Sequence, residues 1–390
     1  MPDKRLRVGV VFGSRSVEHE VSIVTALQVI NALDRTRYEP VPIYITKDGR
    51  WLVGEQLARL ESYRDLQLVA SGEPAVLGPE PGPRELVVRG GGLFGRSRRI
   101  KLDVVFPCVH GTFGEDGTLQ GLLELADVPY VGAGVVGSAT GMDKIIMKAA
   151  FQAADLPIVK HAWFARTRWE NSPAGVLSEI EGRLRYPLFV KPANLGSSIG
   201  ISRASDRQGL QGALEVAACY DRRLLVEEGV SDAMEINCSV LGNDDPIPSV
   251  CEQPVAWQEF LSYDDKYLRG GKGQGMKGAA RRIPAPISAD LTERIQRLAV
   301  AAFKAVDCAG IARVDCLVDR ETDKVFVNEI NTIPGSLAFY LWEPVGVSFA
   351  DLTDRLIRLA LERHSDKAKT RYSYDSAILR KLASGQKASR

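Results

Sequence analysis

The chain has 390 residues, of which 45% are hydrophobic and 25% charged, and its formal net charge is +1. This length exceeds what one hydrophobic core usually supports, so we expect two or three domains of a soluble globular enzyme. The balanced charge excludes a general electrostatic attraction to nucleic acid. The six cysteines lack CxxC spacing, which excludes a disulfide framework and a zinc site. Neither a signal segment nor a membrane-length apolar run is present, and we expect a cytoplasmic protein.

Strands alternate with helical patterns in the first part of the chain. The pattern predicts a strand over 7–12, a helix over 17–33, a strand over 40–45 and a buried strand in the run LDVVFPCVHG. This alternation indicates an open parallel sheet that binds ligands at the C-terminal ends of its strands. Residues 51–99 are rich in glycine, proline and charge, and we interpret them as an insertion with short strands.

Acidic residues follow two strands of this predicted sheet. Glu18 opens the first helix, where a carboxylate can interact with the helix dipole or bind an amine. The loop HGTFGEDG, which contains His110 and Glu115, follows the buried strand. Substrates bind at such positions, so this loop is a candidate substrate site.

The middle of the chain carries two lysines beside a flexible loop. Lys144 stands in GMDK at the start of a helix predicted over about 143–154. Lys191 precedes the glycine- and serine-rich loop in KPANLGSSIG, which two strands flank. Such a loop is often a simple turn, but with lysines at its root it can cover a triphosphate and donate backbone N–H groups.

The run LLVEEGV predicts a buried strand that ends in a glycine-containing connection. A free backbone edge at this strand could bond an adenine ring, and Glu235 nearby could hold ribose hydroxyls. On these residues alone, a linker with solvated glutamates is an equal alternative.

The stretch GIARVDCLVDRETDKVFVNEINTIPG reads as two strands joined by a polar turn. Alternation puts Arg313 and Asp315 on one face of the first strand, away from the core that a small apolar set on the other face would form. On the return strand the same rule places Val327, Glu329 and Asn331 on one face. A hairpin would bring one arginine and three hard oxygen donors together, which suits Mg²⁺, whereas two solvated polar faces are the alternative. The apolar set is Ala312, Val314, Cys316 and Val318.

Together these motifs resemble the D-alanine–D-alanine ligases of the ATP-grasp superfamily. The pieces SVEHEVS, HGTFGEDGTLQG, GMDK, KPANLGSSIG, LVEE, YDDKY, ARVD and NEINTIPG occur in the family's order over residues 8 to about 363. The resemblance implies a three-domain α/β ATP-grasp fold, with an N-terminal open parallel sheet domain over 1–133. It further implies a central domain over 134–228, a C-terminal domain with the metal site over 229–362, and a basic tail over 363–390. The implied reaction is ATP-dependent ligation of two D-alanines through an acylphosphate, for peptidoglycan synthesis.

The resemblance also implies a role for individual residues. Glu18 would bind the ammonium of the first D-alanine, with Ser197 and Tyr267 bonded to it and closing the lid, while Arg313 and the N–H of Gly335 would stabilise the oxyanion. Two Mg²⁺ ions, which Mn²⁺ can replace, would bind Asp315, Glu329 and Asn331. The ATP site would comprise Lys144, Lys191, Ser198, Glu227, Glu228, Val230, Glu235 and Lys266. The remaining D-alanine contacts would be His110, Glu115, Ser336 and Tyr340.

The acceptor region departs from the family pattern. The family usually has a serine several residues after the NTxPG turn to hold the acceptor's carboxylate, whereas this chain has GSLAFYLWEP, with Tyr340 at about that place. The loop DDKYLRGGKGQGMKGAARRIPAP is longer and more basic than usual. The pair Lys266-Tyr267 favours an amine acceptor, and D-serine or D-lactate is the nearest alternative.

Two other classes of protein are less consistent with the motifs. A nucleotide-binding protein without chemistry would lack Arg313 or part of the metal set, and a different ATP-grasp ligase would lack HGTFGEDG and Glu18. We expect a homodimer that binds D-alanine and ATP but neither nucleic acid nor membrane.

Overall fold

The computed structural model describes residues 5–64, 69–90, 97–255 and 281–374. Three β-sheets follow one another along this part of the chain. Lys266, a predicted ATP contact, and Tyr267, a predicted lid residue, lie outside the described residues. Within the described ranges, no helix is both long and apolar enough to cross a membrane.

The first sheet has seven strands in the order β6-β5-β4-β3-β2-β1-β7. These are β1 (Leu6–Gly13), β2 (Tyr38–Ile45), β3 (Trp51–Val53), β4 (Glu73–Leu77), β5 (Glu85–Val88), β6 (Arg98–Lys101) and β7 (Val104–Pro107). The predicted parallel pairing holds for β2, β1 and β7. Strands β3 to β6 pair antiparallel and extend the sheet, so the predicted insertion is part of it. Short connections such as 78–84 allow antiparallel pairing, whereas a parallel crossover needs a dozen or more residues.

Helices cover the sheets and connect their strands. In the described ranges they are α1 (His19–Ala32), α2 (Thr118–Leu125), α3 (Val135–Met142), α4 (Lys144–Ala153), α5 (Arg166–Asn171), α6 (Pro173–Arg183), α7 (Arg207–Ala218), α8 (Ala289–Ala305) and α9 (Phe349–Lys367), with short 3₁₀ helices at Glu55–Ala58, Leu60–Tyr63, Gly335–Leu341 and Glu343–Val345. The helices predicted over 17–33 and 143–154 correspond to α1 and α4. Asp143 caps α4 by accepting hydrogen bonds from the N–H groups of Ile145 and Ile146.

The second sheet has four antiparallel strands in the order β10-β9-β11-β8. They are β8 (His161–Ala165), β9 (Leu188–Pro192), β10 (Ser202–Ala204) and β11 (Arg223–Glu228). The predicted strand, glycine- and serine-rich loop and second strand are present as β9, residues 193–201 and β10. The expected free edge along the LLVEE strand is wrong, because β11 pairs with β9 on one side and β8 on the other.

The third sheet contains the predicted hairpin and has the order β14-β13-β12-β15-β16. Its strands are β12 (Ala233–Gly242), β13 (Ile247–Pro254), β14 (Arg281–Arg282), β15 (Gly310–Asp319) and β16 (Val325–Asn331). The small apolar residues of β15 are fully buried in a core shared with α8, as predicted.

One prediction about the hairpin is wrong. Asp315 pairs with Glu329, but Cys316 pairs with Val327, so a β-bulge leaves Asn328 as an extra residue in β16. A bulge interrupts the alternation of faces. Val327 is therefore fully buried in the core, and does not share a face with Glu329.

The segment Gly335–Leu341, whose residues Ser336 to Ala338 have left-handed backbone, joins the third sheet to the first. Leu337, Ala338 and Trp342 are buried in the same core as strand β1 and helix α1. This packing holds the turn after β16 against the N-terminal sheet, which fixes the relative position of the loops described next.

Candidate active site

Glu18 lies at the junction of the first and second sheets. It is 6% exposed, and its carboxylate accepts a hydrogen bond from the Ser197 hydroxyl, so the structure brings these two predicted residues into contact. A Cβ atom on Gly111 or Gly196 would lie 2.6 or 2.5 Å from Glu18 Oε2. Only glycine permits backbone this close to the carboxylate. Ser197 and the predicted ATP contact Ser198 both have left-handed backbone, with φ of 53° and 59°.

Glu115 bridges two loops beside Glu18. Its Oε2 accepts the N–H of Gly111 at 2.8 Å, and its Oε1 accepts the N–H of Ile333 at 2.9 Å. Desolvation and the negative charge of Glu18 raise the pKa of Glu115 to about 8. Glu115 is therefore protonated at neutral pH, and with Glu18 it forms a pocket suited to a cation.

His110 connects the first sheet to the turn after β16. Its Nε2 lies 2.8 Å from Thr25 Oγ1, and that oxygen also accepts the N–H of Ser336 at 3.2 Å. Burial, opposed by a backbone hydrogen bond to Ile333, lowers the pKa of His110 to about 4. The imidazole is therefore neutral at pH 7 and orients the turn through Thr25 without adding a charge.

The turn itself has an unusual backbone. Ser336, Leu337 and Ala338 have consecutive φ values of 51°, 54° and 48°. A left-handed backbone is costly for residues other than glycine and is found where surrounding packing enforces it, often at functional sites. The hydroxyl of Ser336 is buried and has no hydrogen-bond partner among the described residues. Such a group is a candidate ligand contact.

Arg313 and the three predicted metal ligands converge on one face of the third sheet. The guanidinium of Arg313 holds Asp315 through both carboxylate oxygens, with Nε–Oδ1 at 2.6 Å and Nη2–Oδ2 at 2.7 Å. Asn331 Nδ2 donates to Asp315 Oδ2 at 3.0 Å, and Glu329 lies opposite Asp315 in the adjacent strand. Asp315 is 3% exposed, so this face is a buried site instead of two solvated polar faces.

Lys144 links this face to the loop of the second sheet. Its Nζ donates to the carbonyl oxygen of Leu195 at 2.9 Å and lies 3.6 Å from Glu329 Oε2. Its position at the start of α4 and its 8% exposure direct the charge into the cleft between the second and third sheets.

A second lysine centre lies around Glu227. Its Oε2 is 2.6 Å from Lys191 Nζ and its Oε1 is 2.7 Å from Lys148 Nζ. Although burial alone would raise it, the two lysines lower the pKa of Glu227 to about 2. Lys191 also donates to Asn328 Oδ1 at 3.3 Å. The two lysines and one carboxylate leave one net positive charge in a buried position.

The other predicted ATP residues lie in or just beyond strands β11 and β12. Glu228 accepts the N–H of Arg185 at 3.0 Å, and Glu235 Oε1 accepts from Asn237 Nδ2 at 3.2 Å. Val230 is half-buried just beyond β11. Glu228, which also lies 3.9 Å from Lys160 Nζ, therefore extends from the face of β11 opposite to that of Glu227.

Tyr340 takes part in a buried cluster beside Arg313. Its hydroxyl donates to Glu252 Oε1 at 3.2 Å, and the guanidinium carbon of Arg281 lies 4.0 Å from the centre of its ring. Burial and the negative charge of Glu252 raise the pKa of Tyr340 to about 12. The hydroxyl is therefore neutral and already engaged.

Four residues of the site were not found by sequence reasoning. Lys148 stands four positions after Lys144, a spacing that puts both on one side of a helix and could have revealed it. Asn328 faces the cleft only because of the bulge, which the sequence does not indicate. Glu252 and Arg281 meet through strand pairing in the third sheet, and no local motif marks them.

Comparison with known proteins identifies related sequences over most of the chain. The family model described as "D-ala D-ala ligase N-terminus" matches residues 7–133, and "D-ala D-ala ligase C-terminus" matches residues 150–358. A protein named D-alanine–D-alanine ligase from Chloroherpeton thalassium is 43% identical over 372 residues, covering 93% of this chain and 98% of that protein. A relative of the same name from Bacillus cytotoxicus is 42% identical, covering 95% of this chain and 99% of that protein.

Solved structures are also similar. The D-alanine–D-alanine ligase from Coxiella burnetii has a TM-score of 0.77 and 33% identity, covering 98% of this chain and 99% of that chain. The VanG D-Ala:D-Ser ligase from Enterococcus faecalis has a TM-score of 0.78 and 32% identity, covering 92% of this chain and 100% of that chain. Proteins with this architecture thus include ligases named for two different acceptors.

Proposed function

The chain belongs to the D-alanine–D-alanine ligase family, and from this premise we propose that it joins two molecules of D-alanine while ATP is converted to ADP and phosphate. The product, D-alanyl-D-alanine, is the dipeptide of peptidoglycan precursors, so the reaction belongs to cell-wall synthesis. The substrates are small molecules.

The position of Glu115 is the observation that carries the proposal. This carboxyl group bonds the loop beside Glu18 with one oxygen and the turn before Gly335 with the other. An anionic pocket suited to an ammonium group therefore lies directly against a turn whose backbone N–H groups can face a carboxylate under attack. A ligase of amino acids needs these two features side by side.

In the first step, a carboxylate oxygen of the first D-alanine attacks the γ-phosphorus of ATP, and the bond from that phosphorus to ADP breaks. Glu18 binds the ammonium of this D-alanine and fixes its orientation. Lys144 and Lys191 neutralise the phosphates, because both are buried cations at the cleft. Lys266 is proposed as a third phosphate contact. The rest of the nucleotide is proposed to contact Ser198, Glu227, Glu228, Val230 and Glu235.

In the second step, the amine of the second D-alanine attacks the acylphosphate carbon, the bond to the phosphate oxygen breaks, and phosphate leaves, taking up the proton that the nitrogen loses. Arg313 and the N–H of Gly335 stabilise the oxyanion that forms between these events. Ser197 and Tyr267 close the site over Glu18, because an acylphosphate must be kept from water. His110 and Ser336 line the acceptor side of the pocket.

The donor set of Asp315, Glu329 and Asn331 fits Mg²⁺. Two carboxylates and an amide oxygen on one buried face are hard ligands, and Asn331 uses its Nδ2, not its Oδ1, for Asp315. We propose that these residues hold two Mg²⁺ ions, which Mn²⁺ can replace. Bound there, the ions would neutralise charge on the phosphates of ATP.

The test is ATP turnover with D-alanine as the sole amino acid, with the products separated chromatographically. We expect ADP, phosphate and D-alanyl-D-alanine in equal amounts. Turnover that needs no D-alanine, or phosphate release without dipeptide, would refute the proposal.

D-Serine is the second acceptor to test, because a D-Ala:D-Ser ligase shares this architecture. In competition between equal concentrations of D-alanine, D-serine and D-lactate, we expect D-alanyl-D-alanine as the main product. Predominance of another product would change the acceptor and leave the ligase assignment standing.

The site of action and the assembly state are further parts of the proposal. We propose that the chain acts in the cytoplasm, where ATP is supplied, and that it forms a homodimer. Cell fractionation and sedimentation of the purified protein test the two statements separately.

A further inference from the structure

Arg281 is a buried cation beside the turn after β16. Its side chain is 10% exposed and packs on the face of Tyr340, with the guanidinium carbon 4.0 Å from the ring centre. One terminal nitrogen, Nη1, lies 3.2 Å from Glu252 Oε2. Both partners belong to elements that also contribute to the candidate active site, namely β13 of the third sheet and the Gly335–Leu341 segment.

The guanidinium of Arg281 has one donor that its neighbours do not use. Its Nε is buried and has no hydrogen-bond partner among the described residues. In contrast, Arg313 commits both Nε and Nη2 to Asp315. A guanidinium offers five N–H groups in a planar fork that matches a carboxylate. A buried donor without a partner is costly unless a ligand satisfies it.

The position of Arg281 relative to the reacting atoms follows from two contacts. Tyr340, on which it stacks, is five residues beyond Gly335 in the same short segment. Glu252, which it pairs with, contacts Asn237, and Asn237 lies directly opposite Asp315 in the adjacent strand. Arg281 therefore lies on the same face of the third sheet as Arg313, beside the segment that begins at Gly335.

Tyr340 cannot donate to an acceptor's carboxylate in this arrangement. A neutral phenol has one hydrogen to donate, and the Tyr340 hydroxyl gives it to Glu252 at 3.2 Å. The prediction that Tyr340 takes the place of the family's serine therefore lacks a donor. The apolar face of the ring is what it contributes.

We propose that Arg281 binds the carboxylate of the second D-alanine, with the ring of Tyr340 as the floor that holds the guanidinium in place. Ser336 belongs to the same segment as Tyr340, its buried hydroxyl is also without a partner among the described residues, and we assign it as a second donor to this carboxylate. This inference rests on the proposed ligase function and names the residue that selects an amino acid with a free carboxylate as acceptor.

The test uses D-alaninamide, which keeps the attacking amine but lacks the carboxylate. It can serve only as acceptor, because it has no carboxylate for ATP to phosphorylate. With D-alanine as donor, we expect the unmutated protein to prefer D-alanine over D-alaninamide as acceptor by at least about tenfold in kcat/KM, which is the size expected of a hydrogen bond to a charged group. Equal use of the two acceptors by the unmutated protein would overturn the inference.

Substitution of Arg281 should remove this preference. In Arg281→Met, we expect kcat/KM for D-alanine as acceptor to fall at least about tenfold, with little change for D-alaninamide and in KM for ATP. Arg281→Lys, which keeps the charge but loses the fork, should be intermediate. The matched control is Arg282→Met, because Arg282 is the next residue of the same strand and is exposed. The preference of this variant for D-alanine over D-alaninamide should equal that of the unmutated protein.

The remaining outcomes are also decisive. If Arg281→Met lowered activity with both acceptors equally, Arg281 would be a structural residue and the inference would be wrong. If the Met variant did not fold, the Lys variant and the acceptor preference of the unmutated protein would decide. Failure of the proposed function would give a different result, because no dipeptide would then form from D-alanine and ATP.

Discussion

The carboxylates of Asp315 and Glu329 have different contacts, so substitution of each is expected to have different effects. Asp315 is bound on both oxygens by Arg313, so its removal would also release a buried guanidinium. Glu329 is half-buried and stands 3.6 Å from Lys144. Glu329 is therefore the cleaner residue for testing the metal site.

We expect Glu329→Gln to lower turnover more than about tenfold, a loss of at least about 1.4 kcal/mol in transition-state stabilisation, and to raise the Mg²⁺ concentration needed. The substitution removes an anionic ligand and keeps the shape, so the melting temperature should change little. Steady-state kinetics in a Mg²⁺ titration measure both effects, and exposed Glu321→Gln in the hairpin turn is the control. Full turnover at the original Mg²⁺ requirement would show that Glu329 is not a metal ligand.

The Glu18–Glu115 pair predicts a pH dependence of substrate binding. Glu115, with its pKa raised to about 8, is protonated at neutral pH, and an ammonium group binds better when both carboxylates are ionised. We therefore expect KM for the first D-alanine to fall as pH rises from 6 to 8.5, by at most about tenfold per pH unit. Glu115→Gln should abolish this dependence, whereas exposed Glu215→Gln should keep it.

The raised pKa of Glu115 also determines how the stability of the folded chain changes with pH. A carboxyl group whose pKa is raised on folding stabilises the folded chain below its ordinary pKa of 4.5, and this contribution is lost as pH rises through about 8. The difference between the melting temperature of Glu115→Gln and that of the unmutated protein should therefore become more positive as pH rises from 5 to 9. A constant difference across this range would contradict the raised pKa.

At the scale of elements, helix α4 presents two lysines to the cleft, and Lys148 is the one without a predicted role. It shares Glu227 with Lys191, so it supplies a counter-charge that leaves Lys191 able to move toward a phosphate. We expect Lys148→Met to raise KM for ATP about tenfold with a smaller change in kcat, because Glu227 would then hold Lys191 more strongly. Lys148→Arg should restore much of the affinity.

A purely structural role for Lys148 would give a different result. It would lower the melting temperature without changing KM for ATP. The matched control is Lys304→Met, because Lys304 is an exposed lysine on helix α8. Kinetics with ATP as the varied substrate, together with thermal melting of all three variants, distinguish the two roles.

Elements also show where sequence reasoning succeeds and where it stops. The faces of β15 follow from strict alternation and are correct, because a run of small apolar residues has to be buried together. The predicted faces of β16 are partly wrong, because a single bulge at Asn328 shifts the alternation and no residue type in the sequence indicates that bulge. The left-handed run from Ser336 to Ala338 is likewise imposed by packing against the N-terminal core.

For the whole molecule, short motifs indicate the family and its fold, and long-range contacts complete the site. Glu18, Lys144 and Arg313 are marked by their own local patterns. Glu252 and Arg281 become neighbours only when β13 and β14 pair and the turn after β16 folds over them, which depends on residues far apart in sequence. Sequence patterns report local periodicity, so they identify the motif-bearing half of the site better than the acceptor side.

The contact between Glu18 and Ser197 joins the first sheet to the loop of the second sheet. Substitution of Ser197 therefore tests whether this contact helps to exclude water from the reacting groups. We expect Ser197→Ala to weaken closure and admit water to the acylphosphate, so that more phosphate is released per dipeptide formed. The ratio of phosphate to D-alanyl-D-alanine should rise clearly above one, whereas Ser205→Ala, an exposed position beyond β10, should keep it at one. A slower reaction with the ratio unchanged would limit Ser197 to orienting Glu18.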